Sequence, residues 1–530
     1  MSASPALRNV AAWAGAAAAA CLGAGLWLAS RPGAPLSALG YPGYDHAFVG
    51  FVALVPMMVW LEVAPQRVSA WAGALGALGM GAGMAFLAAY GAALSVLPAL
   101  GALGYPEADA RATAQLAAAV QAVPVAVATT LTWLAVRRGR RAPGFMVFAW
   151  VAAEGLAPLG SERLAVALYE HPEWIALASL GGPSLVSLQL ALVNGAIAEC
   201  LLLAVPPRRR PYLVLAAAVA MGGSLGIHVI RTEALAIATT GAPTVEVLVV
   251  QTGGTDDTGL ADQTTAALGQ LPEDDAPDVV VWPAGGFVTP LEWSELDLAA
   301  RLPSVELPFV VGTPMVRGEP PEGPSMNTLV LADAAHQRQS LYQAAVMAPF
   351  LDFTPLPELL PTSVRARIHD AGRRPGQHGA MFEVARVPFG VMVGWDDISG
   401  PELRRQLDEQ DPEWLLSVVD DRAFVGTPLP EYHHACAVFR AIEQGRFLVR
   451  VAAEGGSALI DPLGAVRSRS AVCQPFAQVV EAPRLHAATG YRVVGNFATL
   501  LCLLFALSMV LLRPARPPSE GDGDGRPEAG

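Results

Sequence analysis

Lysine is absent from this sequence of 530 residues, because all 34 of its basic residues are arginine. No lysine side chain can therefore supply positive charge at any site. Charge of either sign is also sparse. Only 15% of the residues are charged, whereas a soluble domain usually has about a quarter of its residues charged. Hydrophobic residues make up 53% of the chain, and the mean hydropathy is +0.41. This composition excludes an ordinary soluble protein and indicates a membrane protein.

Cysteine is scarce as well, with five residues. Cys21, Cys200 and Cys502 lie in long apolar runs, whereas Cys436 and Cys473 lie in a more polar stretch. The latter two could form a disulfide in an oxidising compartment, but two isolated cysteines are more often buried apolar side chains. The net charge is −13 and no basic patch is interleaved with aromatic residues, which argues against nucleic acid as a partner.

Long apolar runs fill the first 230 residues or so and recur once near the C-terminus. A bilayer core about 30 Å thick requires roughly 20 apolar residues per helix. About eight windows qualify as spans: Val10–Leu28, His46–Leu61, Ala70–Leu97, Leu116–Val136, Gly144–Leu159, Trp174–Val205, Tyr212–Ile230 and Tyr491–Leu512. The first run could be a signal peptide, but its nearly uncharged flank and the runs that follow favour a retained helix.

Arginines between these windows predict the orientation. They are Arg67, the group Arg137, Arg138, Arg140 and Arg141, the group Arg208, Arg209 and Arg210, and finally Arg513 and Arg516. By the positive-inside rule all four places are cytoplasmic, and an even number of spans puts both termini there too. The stretch 240–490 then falls on the far side, which for a bacterial inner membrane is the periplasm.

The stretch 240–490 has the composition of an acidic globular domain, and β-rich runs alternate in it with helical stretches. The predicted strands are Val245–Gln251, Val279–Trp282, Phe309–Thr313, Asn327–Ala332, Gly390–Trp395, Trp414–Val419, Phe447–Val451 and Ala458–Asp461. The predicted helices are Thr258–Leu271, Pro401–Gln410 and Tyr432–Gln444. This alternation indicates an α/β layered domain. We expect a transmembrane bundle over residues 1–235, the α/β domain over 240–488, a C-terminal transmembrane helix over 490–513 and a disordered tail over 514–530.

Several blocks of the α/β domain resemble the carbon–nitrogen hydrolase (nitrilase) superfamily. The blocks are Val279–Pro283, Asn327–Asp333, Tyr342–Pro355, Phe389–Asp396, Phe439–Arg450 and Gly456–Gly464. Seven spans before the domain and one after it make the whole chain similar to the membrane-bound branch of that superfamily, the apolipoprotein N-acyltransferase family. The resemblance implies an αββα sandwich as the fold of the domain.

The resemblance also implies a Glu–Lys–Cys triad. In that family a cysteine thiolate attacks a phospholipid ester to form a thioester, and a glutamate acts as the general base. A lysine supplies positive charge near the developing oxyanion, and the acyl chain then passes to the N-terminal cysteine of a lipoprotein. The equivalent positions in this chain are Ala284, Ala344 and Gly394. None of these residues can accept a proton, carry charge or attack a carbonyl.

Polar residues near these positions form a possible residual site consisting of Asp352, Asp396 and His433. Without a base or a nucleophile beside them, we expect the two aspartates to be residual polar groups or hydrogen-bond acceptors. His433, in a Tyr-His-His run next to Glu431, matches a histidine of the family. It could suggest a metal site, but a structural role is favoured because one short His pair is weak support for metal binding.

Other residues outside the triad have a predicted structural role. Cys436 is predicted to be a buried helical thiol. Glu154 lies inside the fifth window, where a carboxylate is costly, and a helix-packing role is favoured over a functional one. An internal salt-bridge network is predicted for four residues: Arg440, Glu443, Arg446 and Arg450. No cofactor and no metal are expected.

Three functions remain open on these grounds. The first is a catalytically inactive relative of the acyltransferases that binds a membrane lipid, an acyl chain or a lipoprotein in a cavity between bundle and domain. The second is an active apolipoprotein N-acyltransferase that uses unrecognised residues. The third is a structural partner of another membrane enzyme. Fold alone does not decide between them, since function depends on the site.

Overall fold

A computed structural model describes most of the chain. The described residues are 5–29, 47–64, 68–94, 97, 101, 106–157, 163–202, 212–251, 253, 257–272, 275–287, 291–294, 297–316, 325–348, 352–353, 358, 362, 375–376, 381–407 and 410–512. Several predicted features lie outside them: the tail 514–530, Arg67, Arg208, Arg209, Arg210, Arg513 and Arg516.

The N-terminal part is a helical bundle. Its helices are α1 Pro5–Ala29, α2 Val55–Val63, α3 Ala70–Leu94, α4 Glu107–Arg137, α5 Ala142–Gly155, α6 Pro172–Ile175, α7 Ala178–Leu202 and α8 Tyr212–Thr239. Two 3-10 turns, Ala47–Phe51 and Leu164–Leu168, connect them. Many of the side chains are Ala and Gly, which allow helices to approach closely in a membrane.

Each of the eight predicted windows contains a helix, but their lengths differ from the prediction. Among the described residues, five helices are long and apolar enough to cross a membrane, namely α1, α3, α4, α7 and α8. Two shorter apolar helices cover Val49–Val63 and Phe497–Leu511. The window Gly144–Leu159 extends past its helix, which has 14 residues and ends at Gly155. The window Trp174–Val205 is interrupted at Gly181 and Gly182, where the backbone angles are not helical and Pro183 follows.

The C-terminal part contains two β-sheets. Its strands are β1 Thr244–Gln251, β2 Val279–Trp282, β3 Leu291–Glu292, β4 Phe309–Val316, β5 Ser325–Ala332, β6 Arg338–Gln343, β7 Met381–Val384, β8 Val387–Val393, β9 Trp414–Val419, β10 Leu448–Ala452, β11 Ala458–Ile460, β12 Val466–Arg469 and β13 Phe476–Pro483. Its helices are α9 Asp257–Leu268, α10 Gly400–Gln406, α11 Leu429–Gln444 and α12 Gly490–Val494, followed by α13 Phe497–Leu511. Two 3-10 turns cover Gly394–Ile398 and Arg422–Phe424.

The first sheet has the order β13-β1-β2-β4-β5-β6, with β3 on β4, and the second has the order β12-β11-β10-β9-β8-β7. Parallel pairing joins β1, β2 and β4 in the first sheet and β8, β9 and β10 in the second. Antiparallel strands complete both edges, including β13, which pairs with β1 along its whole length.

Apolar residues cover both faces of the central strands. In β1, Val247 and Val249 belong to the core that includes the second sheet, whereas Leu248 and Val250 pack with Leu260 of α9. A strand covered on both sides reads as a continuous apolar run. The two sheets therefore face each other with helices outside, which confirms the predicted αββα sandwich.

Most predicted strands occur within one to three residues of their predicted bounds. The strand predicted over Gly390–Trp395 was wrong at its end, because β8 stops at Val393 and Gly394 begins a 3-10 turn. The helix predicted over Pro401–Gln410 ends at Gln406. The disulfide left open for Cys436 and Cys473 does not form: both are free thiols, and Cys473 is exposed rather than a buried apolar residue.

The chain connection and several contacts among the described residues join the domain to the bundle. Helix α8 leads after a short turn into β1, and Arg231 on α8 donates a hydrogen bond to the carbonyl of Pro462 (2.9 Å). The hydroxyl of Tyr169, after the turn Leu164–Leu168, donates to the carboxylate of Glu431 on α11. The turn 164–169 is thus on the same side of the bundle as the α/β domain.

Candidate functional site

The three positions predicted to correspond to the triad lie where strands end. Ala284 comes two residues after β2, Ala344 directly follows β6, and Gly394 directly follows β8. Ala344 and Ala284 are buried, with 1% and 9% of their surface exposed.

Close contacts link these positions at one end of the sandwich. A Cβ atom added to Gly312 would lie 2.6 Å from Cα of Ala284 and 3.1 Å from Cγ1 of Val418, in the opposite sheet. Val418 pairs with Val393, the residue before Gly394. The backbone of Ala284, with Val418 on the other side, leaves room at position 312 for glycine alone.

Asn327 on β5 completes the connection. Its carbonyl accepts a hydrogen bond from the backbone N–H of Ala344 (2.9 Å), and its Nδ2 atom would be 3.6 Å from a Cβ on Gly394. The structure therefore brings Ala284, Ala344 and Gly394 to a single location between the sheets, with no ionisable or nucleophilic side chain at any of the three. Gly394 has a φ of +63°, a conformation that residues with a side chain rarely adopt.

Asp396 lies two residues after Gly394 and accepts four hydrogen bonds. Oδ1 accepts from the backbone N–H groups of Ala345 (2.9 Å) and Val346 (2.8 Å). Oδ2 accepts from the hydroxyl of Tyr342 (2.9 Å) and from the backbone N–H of Val393 (3.0 Å). Burial raises the pKa of Asp396 to about 7, against the opposing effect of these four donors. Asp396 is thus a hydrogen-bond acceptor that ties the turn after β8 to the turn after β6.

Asp352 supports the same turn from its other end. It is buried, and its Oδ2 accepts from the backbone N–H of Ala348 (2.8 Å), while its own N–H donates to the Ala348 carbonyl (2.8 Å). Asp352 and Asp396 therefore both bind backbone amides of residues 345–348. Of the predicted residual site, His433 is not part of this arrangement.

His433 lies instead in a charged network on the other face of the second sheet. Its Nδ1 is 2.9 Å from Oδ1 of Asp421, whose Oδ2 accepts from Nη2 of Arg450 (3.0 Å). Nη1 of Arg450 donates to Oδ2 of Asp397 (2.6 Å), and the ring of His433 contacts Trp395 edge to face, with 4.9 Å between centroids. All four of the polar side chains are buried.

The predicted salt-bridge network of four residues is only partly connected. Arg440 pairs with Glu443 (2.6 Å) and donates to the Asp397 carbonyl (3.1 Å), so it adjoins the network around Arg450. Arg446 belongs elsewhere: it pairs with Asp411 (2.6 Å), which also binds Arg492 and His486. The prediction was wrong for Arg446, because its side chain points to the loop before β9 rather than to α11.

A metal at Glu431 and the histidine pair has little support from the contacts. Glu431 is bound by Arg469 (2.6 Å) and by Tyr169, which together outweigh its burial and lower its pKa to about 2. His434 is buried, which with the nearby arginines lowers its pKa to about 3. Among the described residues no group of three or more His, Cys, Asp or Glu side chains could hold a metal ion.

An ion pair that the sequence did not indicate lies beside Ala284. Nη2 of Arg422 is 2.7 Å from Oδ2 of Asp420 and 3.5 Å from the carbonyl of Gly285. A Cβ on Gly285 would collide with this guanidinium. The space next to the position of the missing acid is thus occupied by a charged pair from the turn after β9.

Cys436 and Glu154 have the structural environments that were predicted. Cys436 is buried on α11, and burial raises the pKa of its thiol to about 12. Oε1 of Glu154 accepts from Nε1 of Trp150 (2.7 Å) and from the backbone N–H of Leu164 (2.8 Å). The carboxylate therefore joins α5 to the turn that contacts the domain.

Asp397, Asp421 and Arg422 were missed by sequence reasoning. A signal was available, since paired aspartates follow two neighbouring parallel strands: Asp396 and Asp397 after β8, and Asp420 and Asp421 after β9. Carboxyl ends of neighbouring parallel strands lie at the same sheet edge, where functional side chains often gather.

Comparison with known proteins gives matches of two kinds. Residues 33–196 match a sequence model described as "Apolipoprotein N-acyltransferase N-terminal domain". The apolipoprotein N-acyltransferase of Rhodopseudomonas palustris is 28% identical over 257 residues, covering 45% of this chain and 46% of the relative. Apolipoprotein N-acyltransferase 2 of Treponema denticola is 24% identical over 263 residues, with 45% and 48% covered. The chain thus spans about half the length of these curated relatives.

Two solved structures show weaker likeness. Nit3 of Saccharomyces cerevisiae, a member of branch 10 of the nitrilase superfamily, is 14% identical with a TM-score of 0.33, covering 45% of this chain and 90% of Nit3. A CN-hydrolase superfamily protein of Xanthomonas campestris is 17% identical with a TM-score of 0.32, covering 51% of this chain and 97% of the other. The sequence matches confirm the predicted resemblance: the chain is similar to members of the apolipoprotein N-acyltransferase family.

Proposed function

We propose that this protein is a membrane-anchored relative of the apolipoprotein N-acyltransferases that binds a membrane lipid or a lipoprotein without transferring an acyl chain. The observation that carries the proposal is the set of residues at the three triad positions. Ala284, Ala344 and Gly394 lie together between the sheets and supply no base, no cation and no nucleophile.

None of the three positions holds a substitute nucleophile. Thioester formation needs a thiolate, and the buried cysteine of the α/β domain is Cys436 on α11. Its thiol is buried, and with a pKa of about 12 it stays protonated at physiological pH. An active enzyme would therefore need chemistry other than the thioester route of its relatives.

We propose the strand-end site as the place where the ligand binds, and one described cavity at the junction of bundle and domain is distinct from it. A cavity at that junction is lined by Arg163, Cys436, Arg440, Glu443 and Asn496, among others, and has a volume of about 20 Å³. That is room for about one water molecule rather than an acyl chain. This one cavity is too small for an acyl chain, and a larger cavity between bundle and domain stays a prediction.

Retained lipid tests this proposal. The protein is purified in detergent and its bound lipid is identified by mass spectrometry. We expect lipid in a defined molar ratio, reduced when Ala284→Met fills one of the three positions and unchanged in Ala300→Met on the exposed surface. Lipid that only reflects bulk membrane composition in all three samples would favour the structural-partner function instead.

Acyl transfer is tested separately. We expect no hydroxylamine-sensitive acylation after incubation with phospholipid, and no rescue of cells that lack an active N-acyltransferase. A labelled acyl-enzyme that hydroxylamine releases would establish the enzymatic alternative.

For location we propose a bacterial inner membrane with the α/β domain in the periplasm. Arg138 and Arg140 at the end of α4 donate hydrogen bonds to the carbonyls of Val510 (2.7 Å) and Leu512 (2.9 Å). The basic loop and the end of α13 thus share one side of the bundle, opposite the turn 164–169. That arrangement supports a cytoplasmic loop by the positive-inside rule. A membrane-impermeant maleimide should label the exposed Cys473 in spheroplasts, with Cys473→Ser as control, and a reporter fused near Gly269 should report the periplasm.

A further inference from the structure

In the described part of the chain, one ring nitrogen of His433 has a hydrogen-bond partner and the other has none. Nδ1 is 2.9 Å from Oδ1 of Asp421, but Nε2 has no nitrogen or oxygen partner among the described residues. The side chain is only 2% exposed, so water does not offer an ordinary alternative. A buried polar atom without a partner costs free energy and calls for an explanation.

The buried charges around His433 do not sum to zero unless its ring carries a proton. Asp397 and Asp421 are both fully buried, and both bind one guanidinium, that of Arg450, at 2.6 and 3.0 Å. Two buried carboxylates and one cation leave one negative charge uncompensated, which is strongly unfavourable in a low-dielectric interior. Among the described residues, two further side chains bind these aspartates: the neutral hydroxyl of Ser417, which donates to Asp397 (3.3 Å), and His433, which is the ionisable one.

The other charged groups around His433 are already engaged. They are Arg440 with Glu443, Arg469 with Glu431, and Arg422 with Asp420. His434 is neutral, because burial and the nearby arginines lower its pKa to about 3. Burial opposes ionisation of Asp421, yet His433 and Arg450 outweigh it and lower the pKa of this carboxyl.

We propose that His433 is a proton-binding site: an imidazolium that donates Nδ1–H to Asp421 and directs Nε2–H at the indole ring of Trp395. The ring centroids are 4.9 Å apart with an interplanar angle of 81°, a geometry in which a ring edge meets a π face. A cation facing an indole within about 6 Å is attracted to it. Trp395 directly follows Gly394, so the proton on His433 helps to hold the turn at the strand-end site.

His433 is thus a positioning residue that acts through Trp395. The proposal does not depend on which ligand the strand-end site takes, because it concerns the protonation of the ring and the position of the indole.

Indole fluorescence distinguishes a protonated from a neutral His433, because an adjacent imidazolium quenches tryptophan emission. The emission of Trp395 is obtained as the difference between the protein and its Trp395→Phe variant in detergent micelles from pH 5 to pH 9. We expect this difference to rise on alkalinisation. The rise should be lost in His433→Gln and kept in His336→Gln. His336 is a suitable control because it is also buried and contacts an aromatic ring, that of Phe309.

A second measurement covers the case in which His433→Gln does not fold. The unaltered protein is labelled with 15N-histidine, and ring nitrogen shifts are followed by NMR over the same range. One of the nine histidines should keep both ring nitrogens protonated at neutral pH, with a signal that changes in Trp395→Phe. A Trp395 emission independent of pH, or a His433 ring with one unprotonated nitrogen throughout, would overturn the proposal.

Discussion

The strand-end site and the charged network behind it have opposite characters. At the site, Ala284, Ala344 and Gly394 have side chains of one carbon or none, and backbone amides are bound by Asp396 and Asp352. On the other face of the second sheet, by contrast, Arg450 binds two buried aspartates, one of which binds His433. The turn Gly394–Ile398 connects the two regions, because Gly394 and Asp396 belong to the site and Asp397 belongs to the network.

The difference shows that the residues at the three strand-end positions and the aspartates that hold the turns are separate sets. Asp396 and Asp397 are neighbours in sequence, yet one holds the turn after β6 and the other holds β10 through Arg450. The turn after β8 is therefore held by contacts that do not involve the side chains at positions 284, 344 and 394.

Removal of the central cation should have the largest effect. Arg450→Met leaves Asp397 and Asp421 buried without their shared partner. Breaking a buried ion pair in this way costs about 3–5 kcal/mol. We expect the free energy of unfolding in detergent to fall by about that amount. Arg405→Met, which breaks the exposed pair with Glu402, should change it little. Equal losses in the two variants would show that the network does not hold the fold.

Asp396→Asn should have the next largest effect. Each oxygen of the Asp396 carboxylate accepts two hydrogen bonds. In asparagine one of these oxygens is replaced by an NH2 group, which cannot accept, so at least one backbone or hydroxyl donor loses its acceptor. An unsatisfied buried donor costs about 1–3 kcal/mol. The half-exposed Asp420→Asn is the matched control and should lose less. A variant as stable as the parent would mean that the turn after β8 is held by other contacts.

The pH dependence of stability should also report on Asp396. Its pKa in the fold is about 7, above the ordinary value of 3.8, so the native protein holds a proton that the unfolded chain releases. Between about pH 4 and about pH 7 the native state binds more protons, and the contribution of this group to the free energy of unfolding therefore falls as pH rises. The difference in stability between the protein and Asp396→Asn should shrink over that range. A difference that grows with pH would contradict the assigned protonation.

The sequence predicted the central strands well and the network poorly. Val279–Trp282 is wholly apolar and Trp414–Val419 is apolar except for Ser417, and a parallel strand buried on both faces favours that pattern. Strand β13 was missed because its burial pattern is mixed and its partner β1 is more than 200 residues away in the chain. Asp397 and Asp421 were missed because a carboxylate in a sequence gives no sign of whether it is buried or which arginine it meets.

Restoration of the three triad residues should have the smallest effect of all: we expect it to produce no acyl-transfer activity. Ala284→Glu, Ala344→Lys and Gly394→Cys together return the side chains that the family chemistry needs. Catalysis requires these groups in productive geometry, and a misplacement of about 1 Å can cost on the order of 100-fold in rate. We expect the triple variant to insert in the membrane, with lowered stability, and to transfer no acyl group to a lipoprotein peptide.

Three structural features argue for this outcome. The φ of +63° at Gly394 is strained for cysteine, at a cost of about 1–3 kcal/mol. A glutamate at position 284 would lie next to the Asp420–Arg422 pair, which the single-site change does not remove. A lysine at position 344 would be a new charge where 1% of the present side chain is exposed, and a buried charge without prepared partners is destabilising. The assay uses an active relative as positive control and Gly394→Cys alone as the matched variant. Robust N-acylation by the triple variant, but not by the single one, would show that the strand-end site differs from a working one only in these three residues.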